Sequence, residues 1–233
     1  QRQMCIRDRN TSIDGIDDKT VNFSDGEKKE FDAVLIAIGR APLTENIGLD
    51  NVNIASENGF INVDLDTFET SVANIFALGD IVNNTPQLAH AAFAEAISAI
   101  TYIASGEKKP LDYKAIPYVV YTRPELAEIG LNAEKAKLEN IEIEQSQHSF
   151  AGVGRAMITE QNQGLVKVYA EKDGPIVGAS VCGPSAGEMI HEIMYMVGWE
   201  ALPEEAAEFI HAHPTLSEAV GESLLGLTGK GLH

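Results

Sequence analysis

Basic residues are scarce in this chain: 17 Lys and Arg stand against 35 Asp and Glu, a formal net charge of −18. That balance argues against nucleic-acid and anionic-membrane partners, because both need basic patches that neutralise phosphate. It leaves open docking on a basic protein partner. Cysteine is nearly missing as well. Cys5 and Cys182 are far apart and lack metal-ligand spacing, so neither a disulfide framework nor a zinc site is expected. Cys182, inside the apolar string IVGASVCG, reads as a small buried hydrophobe. No apolar run approaches the roughly 20 residues of a membrane span, and no signal peptide is legible, which together read as a soluble cytoplasmic protein.

What is present suits a globular chain. At 233 residues, 44% hydrophobic and 22% charged, there is material for one large domain or two small ones. Residues 1–10, QRQMCIRDRN, are the exception, with Arg2, Arg7 and Arg9 opening an acidic chain and no helical or strand period. They resemble translated adaptor sequence and are read as a non-native leader. From Thr11 the pattern predicts a strand at Thr20 to Phe23, a tight turn at Asp25-Gly26 and a fully buried strand from Ala33 to Ile38. Gly39 then falls at the carboxyl edge where open α/β sheets bind ligands, or in a simple turn. A second short buried strand, Ile75 to Leu78, ends in Gly79-Asp80. The Asp80 carboxylate there can accept from a ribose-like hydroxyl or make an Asx turn.

Strong helix formers with apolar spacing run from Leu88 to about Ala104, and Gly106 supplies the stop. Pro110 to Pro117 reads as a boundary, after which strands followed by helices suggest a separate α+β domain. IPYVVYT, IEIEQSQHSF, GLVKVYA and PIVGASVCG are its four strand candidates, with a hairpin at Asp173-Gly174. A helix capped by Ser185 runs to Trp199, its face of Met189, Ile190, Ile193, Met194, Met196 and Val197 reading as core. LPEEAAEFI forms a shorter helix leading into His211. The string HAHPTLSE, His211 to Glu218, is a helix entrance. Pro214 cannot lie deep in a helix, and Thr215 with Glu218 fits a capping box. His213 is therefore held just outside a helix, either as a surface histidine or as an imidazole presented for proton transfer.

Four strings, AIGRAPLTENIGLD, TSVANIFALGD, PQLAHAAFAEA and HAHPTLSE, resemble segments of the FAD-dependent pyridine-nucleotide disulfide oxidoreductases. HAH before and LSE after the HPT core favour the lipoamide-oxidising members. The resemblance implies an α/β and α+β chain: the tail of a NAD domain and the C-terminal part of a Rossmann-like FAD domain, followed by an α+β dimerisation domain. It implies boundaries at 11–42, 43–110 and 111–233. It sets Gly39 against the nicotinamide nucleotide, with Arg40 and Pro42 in the same pattern. Gly79 and Asp80 fall at the flavin's ribityl chain, and Gln87, Leu88, Ala89 and His90 along the flavin ring. His90 would act there through its backbone, with no part for its imidazole. The start of the helix predicted from Leu88, aimed at the ring, would favour negative charge on reduced flavin. His213 becomes the base that deprotonates a dithiol, and Glu218 its orienting partner, a role that competes with capping for the same carboxylate. His211 supports the site or faces solvent, and His148 and His191 are structural or exposed. No metal is implied.

The function so implied is reoxidation of protein-bound dihydrolipoamide, with electrons passing through a cysteine disulfide and FAD to NAD+. The implied partners are a second copy of the chain, whose histidine completes the other subunit's site, and the lipoyl domain of a 2-oxoacid dehydrogenase complex or glycine cleavage system. Such an enzyme also needs two GxGxxG turns and a redox cysteine pair. AGVGRA, which follows no long buried strand, does not qualify. The sequence thus resembles the C-terminal half of the enzyme, expected to lack activity and to bind FAD weakly when alone. The alternatives are a related flavoprotein disulfide reductase, an NAD(P)H:acceptor oxidoreductase, or a non-catalytic dimerisation module.

Overall fold

Residues 8–231 are described by the structure, a computed structural model. Residues 1–7, and with them Cys5 and most of the expected leader, lie outside the described residues. The chain divides into two units, the first ending at Leu43 and the second starting at Thr44.

The first unit holds an antiparallel meander of β1 (Ile13–Asp17), β2 (Thr20–Phe23) and β3 (Lys28–Glu30). Its turns follow from short polar residues that tolerate positive φ: Asp18 at 52° joins β1 to β2, and Gly26 at 88° joins β2 to β3. Strand β2 and the Asp25-Gly26 turn are where the sequence predicts them; β1 had no strong apolar alternation and was not foreseen. The expected buried strand from Ala33 to Ile38 does not form. Those residues are in no strand, and Leu35 and Ile38 are each 92% exposed. A fully buried strand needs ladders on both edges and cover on both faces, and no described segment of this unit supplies either.

The second unit begins with a short hairpin, β4 (Ser56–Glu57) and β5 (Phe60–Ile61), and a small core of Ile61, Ala77 and Val82. Ile75 to Leu78, expected as a strand, makes only one bridge, Glu69 with Phe76, and of the four only Ala77 is fully buried. The 17-residue helix α1 (Ala89–Ser105) follows, ended by Gly106 in the left-handed region at φ 75°. Those limits agree with the propensities and the glycine stop.

The rest is a five-stranded antiparallel sheet in the order β6-β7-β10-β9-β8. Its strands are β6 (Tyr118–Val120), β7 (Glu125–Gly130), β8 (Ile143–Ser149), β9 (Leu165–Glu171) and β10 (Ile176–Gly183). Helices α2 (Ala133–Glu139) and α3 (Gly154–Ile158) interrupt the strands, and α4 (Ala186–Gly198), α5 (Pro203–Ala206) and α6 (Glu218–Leu227) close the chain. Register explains the core. Ala127, Val181 and Val166 lie opposite one another across β7, β10 and β9, and Ile129, Ala179 and Val168 form the next row. All six are at most 1% exposed, and α4 and α6 cover them with Ile190, Ile193, Val220 and Leu224. Each such aliphatic side chain contributes roughly 1.5–3 kcal/mol on burial.

Four of the five strands and the apolar face of α4 were legible. Strand β7 was not, because Leu126 and Glu128 face outward and Glu125, on the inner face, accepts from the Gly187 N–H of α4, which leaves only Ala127 and Ile129 as apolar inward residues. Ser185 does not cap α4 with its side chain. It sits at φ 57°, and its carbonyl accepts from Glu188 and Met189 instead. Cys182 is only half-buried, on the face of β10 opposite Val181.

Candidate functional site

Two stretches of the second unit carry the expected site residues. In the first, Gly79 adopts φ 77° and opens a tight helical turn, Gly79–Ile81. A Cβ on Gly79 would touch the Ala92 methyl at 3.4 Å, so the loop lies directly against α1. The Gly79 N–H donates to Glu95 Oε2 at 2.6 Å, and Gln87 Nε2 donates to the Asp80 carbonyl at 3.2 Å. Leu88 takes an extended conformation at the head of α1, without a side-chain cap and with no acidic residue in the first turn. The N–H groups at that end carry the positive end of the helix dipole and suit an electron-rich acceptor. Ala89 and His90 are exposed there, while His90 Nε2 donates to the Pro117 carbonyl at 2.8 Å. Gly79, Asp80, Gln87, Leu88, Ala89 and His90 are thus gathered on one turn and one helix start. Gly39 lies in the first unit, at φ 131°, with open space where a Cβ would stand.

In the second stretch, the chain leaves α5, passes through a cis His213-Pro214 peptide and enters α6 at Glu218. Thr215 is not the residue that caps the helix; its hydroxyl donates to the Ala212 carbonyl at 2.7 Å. The carboxylate of Glu218 nevertheless fills both roles that the sequence sets in competition. Its Oε2 accepts from the Thr215 N–H at 2.9 Å, and its Oε1 lies 2.8 Å from His213 Nδ1. A carboxylate accepts, so Nδ1 carries the hydrogen and Nε2 presents a lone pair. The His213 side chain is 75% exposed, and its Cε1 passes Gly154 closely enough that an added Cβ would sit 3.6 Å away. Burial alone pushes the Glu218 carboxyl up. The hydrogen bonds from His213 and Thr215 and the nearby imidazoles outweigh it and hold the carboxyl below its ordinary range.

Two residues before His213, His211 binds a different carboxylate: its Nε2 contacts Glu192 Oε1 on α4. That hydrogen bond raises the His211 pKa; burial opposes the rise, and the charges of Glu192 and Glu218 support it. Sequence reasoning missed Glu192, and it missed Glu95 although Glu95 is the one acidic residue in the apolar helix α1. His191 is exposed, and His148 has a buried Nε2 without a hydrogen-bond partner. Among the described residues no acidic, histidine and cysteine cluster could hold a metal, and no helix is long and apolar enough to cross a membrane.

A glycine turn packed on an uncapped helix, an antiparallel sheet domain and a histidine-carboxylate pair at its last helix occur together in this chain. Residues 116–224 match the dimerisation domain of the pyridine nucleotide-disulphide oxidoreductases, and residues 6–96 match the pyridine nucleotide-disulphide oxidoreductase domain itself. The chain belongs to this family, whose cofactors are FAD and NAD. Among curated relatives, it is 38% identical over 92% of its length to dihydrolipoyl dehydrogenase of Haloferax volcanii, and 37% identical over 90% to that of Bacillus subtilis. It spans 46% and 44% of those two proteins, less than half of each. Among solved structures, it superposes on LpdA of Mycobacterium tuberculosis with a TM-score of 0.81 and 27% identity, covering 89% of this chain and 45% of that one. For the flavoprotein disulfide reductase RclA of Escherichia coli the values are 0.80 and 25%, covering 89% and 48%.

The residues present fit the family's flavin. A half-exposed Asp80, held in place by Gly79 packed on α1, and an uncapped helix start offer an acceptor for hydroxyl groups and N–H donors for an electron-rich ring edge.

Proposed function

We propose that this chain is the C-terminal half of a dihydrolipoyl dehydrogenase, whose whole protein reoxidises protein-bound dihydrolipoamide through a cysteine disulfide and FAD to NAD+. The observation that carries the reading is the 2.8 Å contact from His213 Nδ1 to Glu218 with Nε2 left open. A dithiol attacks a disulfide only as its thiolate, so a proton must leave first. His213 Nε2 accepts it, and Glu218 holds the ring in the Nδ1–H tautomer and stabilises the imidazolium that forms. In the other stretch, Asp80 binds the ribityl hydroxyls, and Gly79, Gln87, Leu88, Ala89 and His90 bound the flavin. Gly39 lies against the nicotinamide nucleotide. Bound FAD supplies the two-electron relay between thiols and nicotinamide.

On this reading residues 11–42 end a NAD domain, 43–110 belong to the FAD domain and 111–233 form the dimerisation domain. The protein works in the cytoplasm as a homodimer. Exposed Phe209 and Ile210 beside the dyad, 76% and 98% accessible, suit burial by a second copy. Its partner in turnover is the lipoyl domain of a 2-oxoacid dehydrogenase complex or glycine cleavage system. The test is His213→Gln in the full-length protein. Reduction of the flavin by dihydrolipoamide should fall by about 10²–10⁴-fold while reduction by NADH is little changed. Equal losses in both half-reactions would mean that the imidazole is not the thiol's base. The likeness to RclA favours a second reading, a disulfide reductase acting on another disulfide; wild-type protein that reduces disulfides with NADH but leaves dihydrolipoamide untouched would select it.

A further inference from the structure

Helix α1 carries a carboxylate where its apolar pattern calls for a hydrophobe. Glu95 is fully buried and helps hold the Gly79 loop on α1: Ala92 packs against Gly79, and Glu95, one turn on, accepts from the Gly79 N–H. Its other oxygen accepts from the Tyr113 hydroxyl at 3.0 Å. Burial, and then the hydrogen bond and charge of Glu95, raise the Tyr113 pKa far above the ordinary phenol value, so the hydroxyl stays a donor. Two more side chains of α1 reach the same connecting segment. His90 donates to the Pro117 carbonyl, and the fully buried Ser98 donates to the Lys109 carbonyl at 2.6 Å.

Stability alone does not account for this carboxylate. Burying a carboxylate forfeits its hydration, and a well-packed apolar side chain of similar volume commonly does as well or better. An apolar residue would, however, leave the Gly79 N–H without an acceptor and free the Leu78-Gly79 peptide, one residue before Asp80. We propose that Glu95 is the positioning residue of the cofactor loop, fixing the Leu78-Gly79 peptide, next to Asp80, to α1 and, through Tyr113, to the short helical turn that precedes the dimerisation sheet. The inference rests on the assignment of residues 79–90 to flavin. Glu95 touches no cofactor; it acts through Gly79, and it joins that loop to the segment that continues into β6.

The experiment uses the full-length protein purified with FAD, stripped of flavin and titrated back, with flavin fluorescence, visible circular dichroism and the melting temperature of the apoprotein as readouts. Glu95→Ala should weaken FAD binding by about 10–100-fold, the range expected for a charge-assisted hydrogen bond, and alter the flavin's visible dichroism. Glu95→Gln should restore most of the affinity, because its carbonyl oxygen can face Gly79 while its amide donates to the Tyr113 oxygen. Tyr113→Phe, which deletes one partner only, should weaken FAD by a smaller factor and decides the matter if Glu95→Ala fails to fold. Wild-type affinity and dichroism in Tyr113→Phe and in a folded Glu95→Ala would overturn the proposal, even with a lowered apoprotein melting temperature. If the wild-type protein itself binds no FAD, the flavin assignment fails first, and this inference with it.

Discussion

Two histidine-glutamate pairs, their histidines two residues apart in the same loop, differ in exposure and in the ring nitrogen that meets the carboxylate. His213 bonds Glu218 at the mouth of α6 with its ring 75% exposed; His211 bonds Glu192 on α4 with its ring 15% exposed. The chemistry of the pairs is the same, so accessibility and the second ring nitrogen separate their uses. His213 keeps one nitrogen open toward solvent. His211 is enclosed by α4 and α6, where a Cβ on Gly221 would lie 2.7 Å from its Nδ1. An imidazole that must accept a substrate's proton needs a free lone pair within reach; one that ties a loop to two helices needs neither.

The sharpest contrast comes from His213→Gln, whose loss of dithiol turnover should leave the melting temperature almost unchanged, because an exposed ring packs little. A large fall in stability would show that the two histidines are both structural. Glu218→Gln comes next. The amide oxygen can still accept from Thr215 N–H while the charge behind the imidazolium is lost, so turnover by dihydrolipoamide should fall about 10–100-fold and its pH profile should shift. An unaltered profile would reduce Glu218 to a helix-start residue. Gly221→Ala tests the enclosed pair. Alanine normally favours a helix interior, yet here its Cβ must displace the bonded ring, and thermal or denaturant unfolding should show a loss of about 1–3 kcal/mol; a stabilised variant would mean that His211 yields freely.

The smallest effect is in pH dependence. His211 has its folded pKa raised above the ordinary value of 6.5, so it binds its proton more tightly folded than unfolded. Its stabilising contribution is therefore full below about 6.5 and declines as pH rises through the raised folded value. Glu192→Gln should flatten that slope in unfolding measured from pH 6 to 9. Glu218 runs the other way: its lowered pKa contributes stability above 4.5 that is lost as pH falls through the folded value.

Local signals were read well where one residue type leaves one conformation open. Gly106 ends α1, Asp173 at φ 54° turns β9 into β10, and the period of α4 selects Met189, Ile190 and Ile193 for the core. Spacing across the helix start made Glu218 legible as a partner of Thr215; its pairing with His213 came only from the likeness of HAHPTLSE to the family's motif. The Ala33 to Ile38 run misled, since hydrophobicity predicts burial only where neighbours exist to provide it. Glu192 and His211 are far apart in sequence, and nothing local ties either to the other.

The chain's amino acids alone determined the helix starts and stops, the alternation that selects a core face, and the residue types able to move a proton. Tertiary packing decided which imidazole is open and which is enclosed. It also decided that one carboxylate serves two donors at α6, and that Glu95 lies beneath the Gly79 loop. The reason is physical: conformational preference acts over a few residues, whereas desolvation and hydrogen-bond partnership depend on whatever the folded chain brings within about 3 Å.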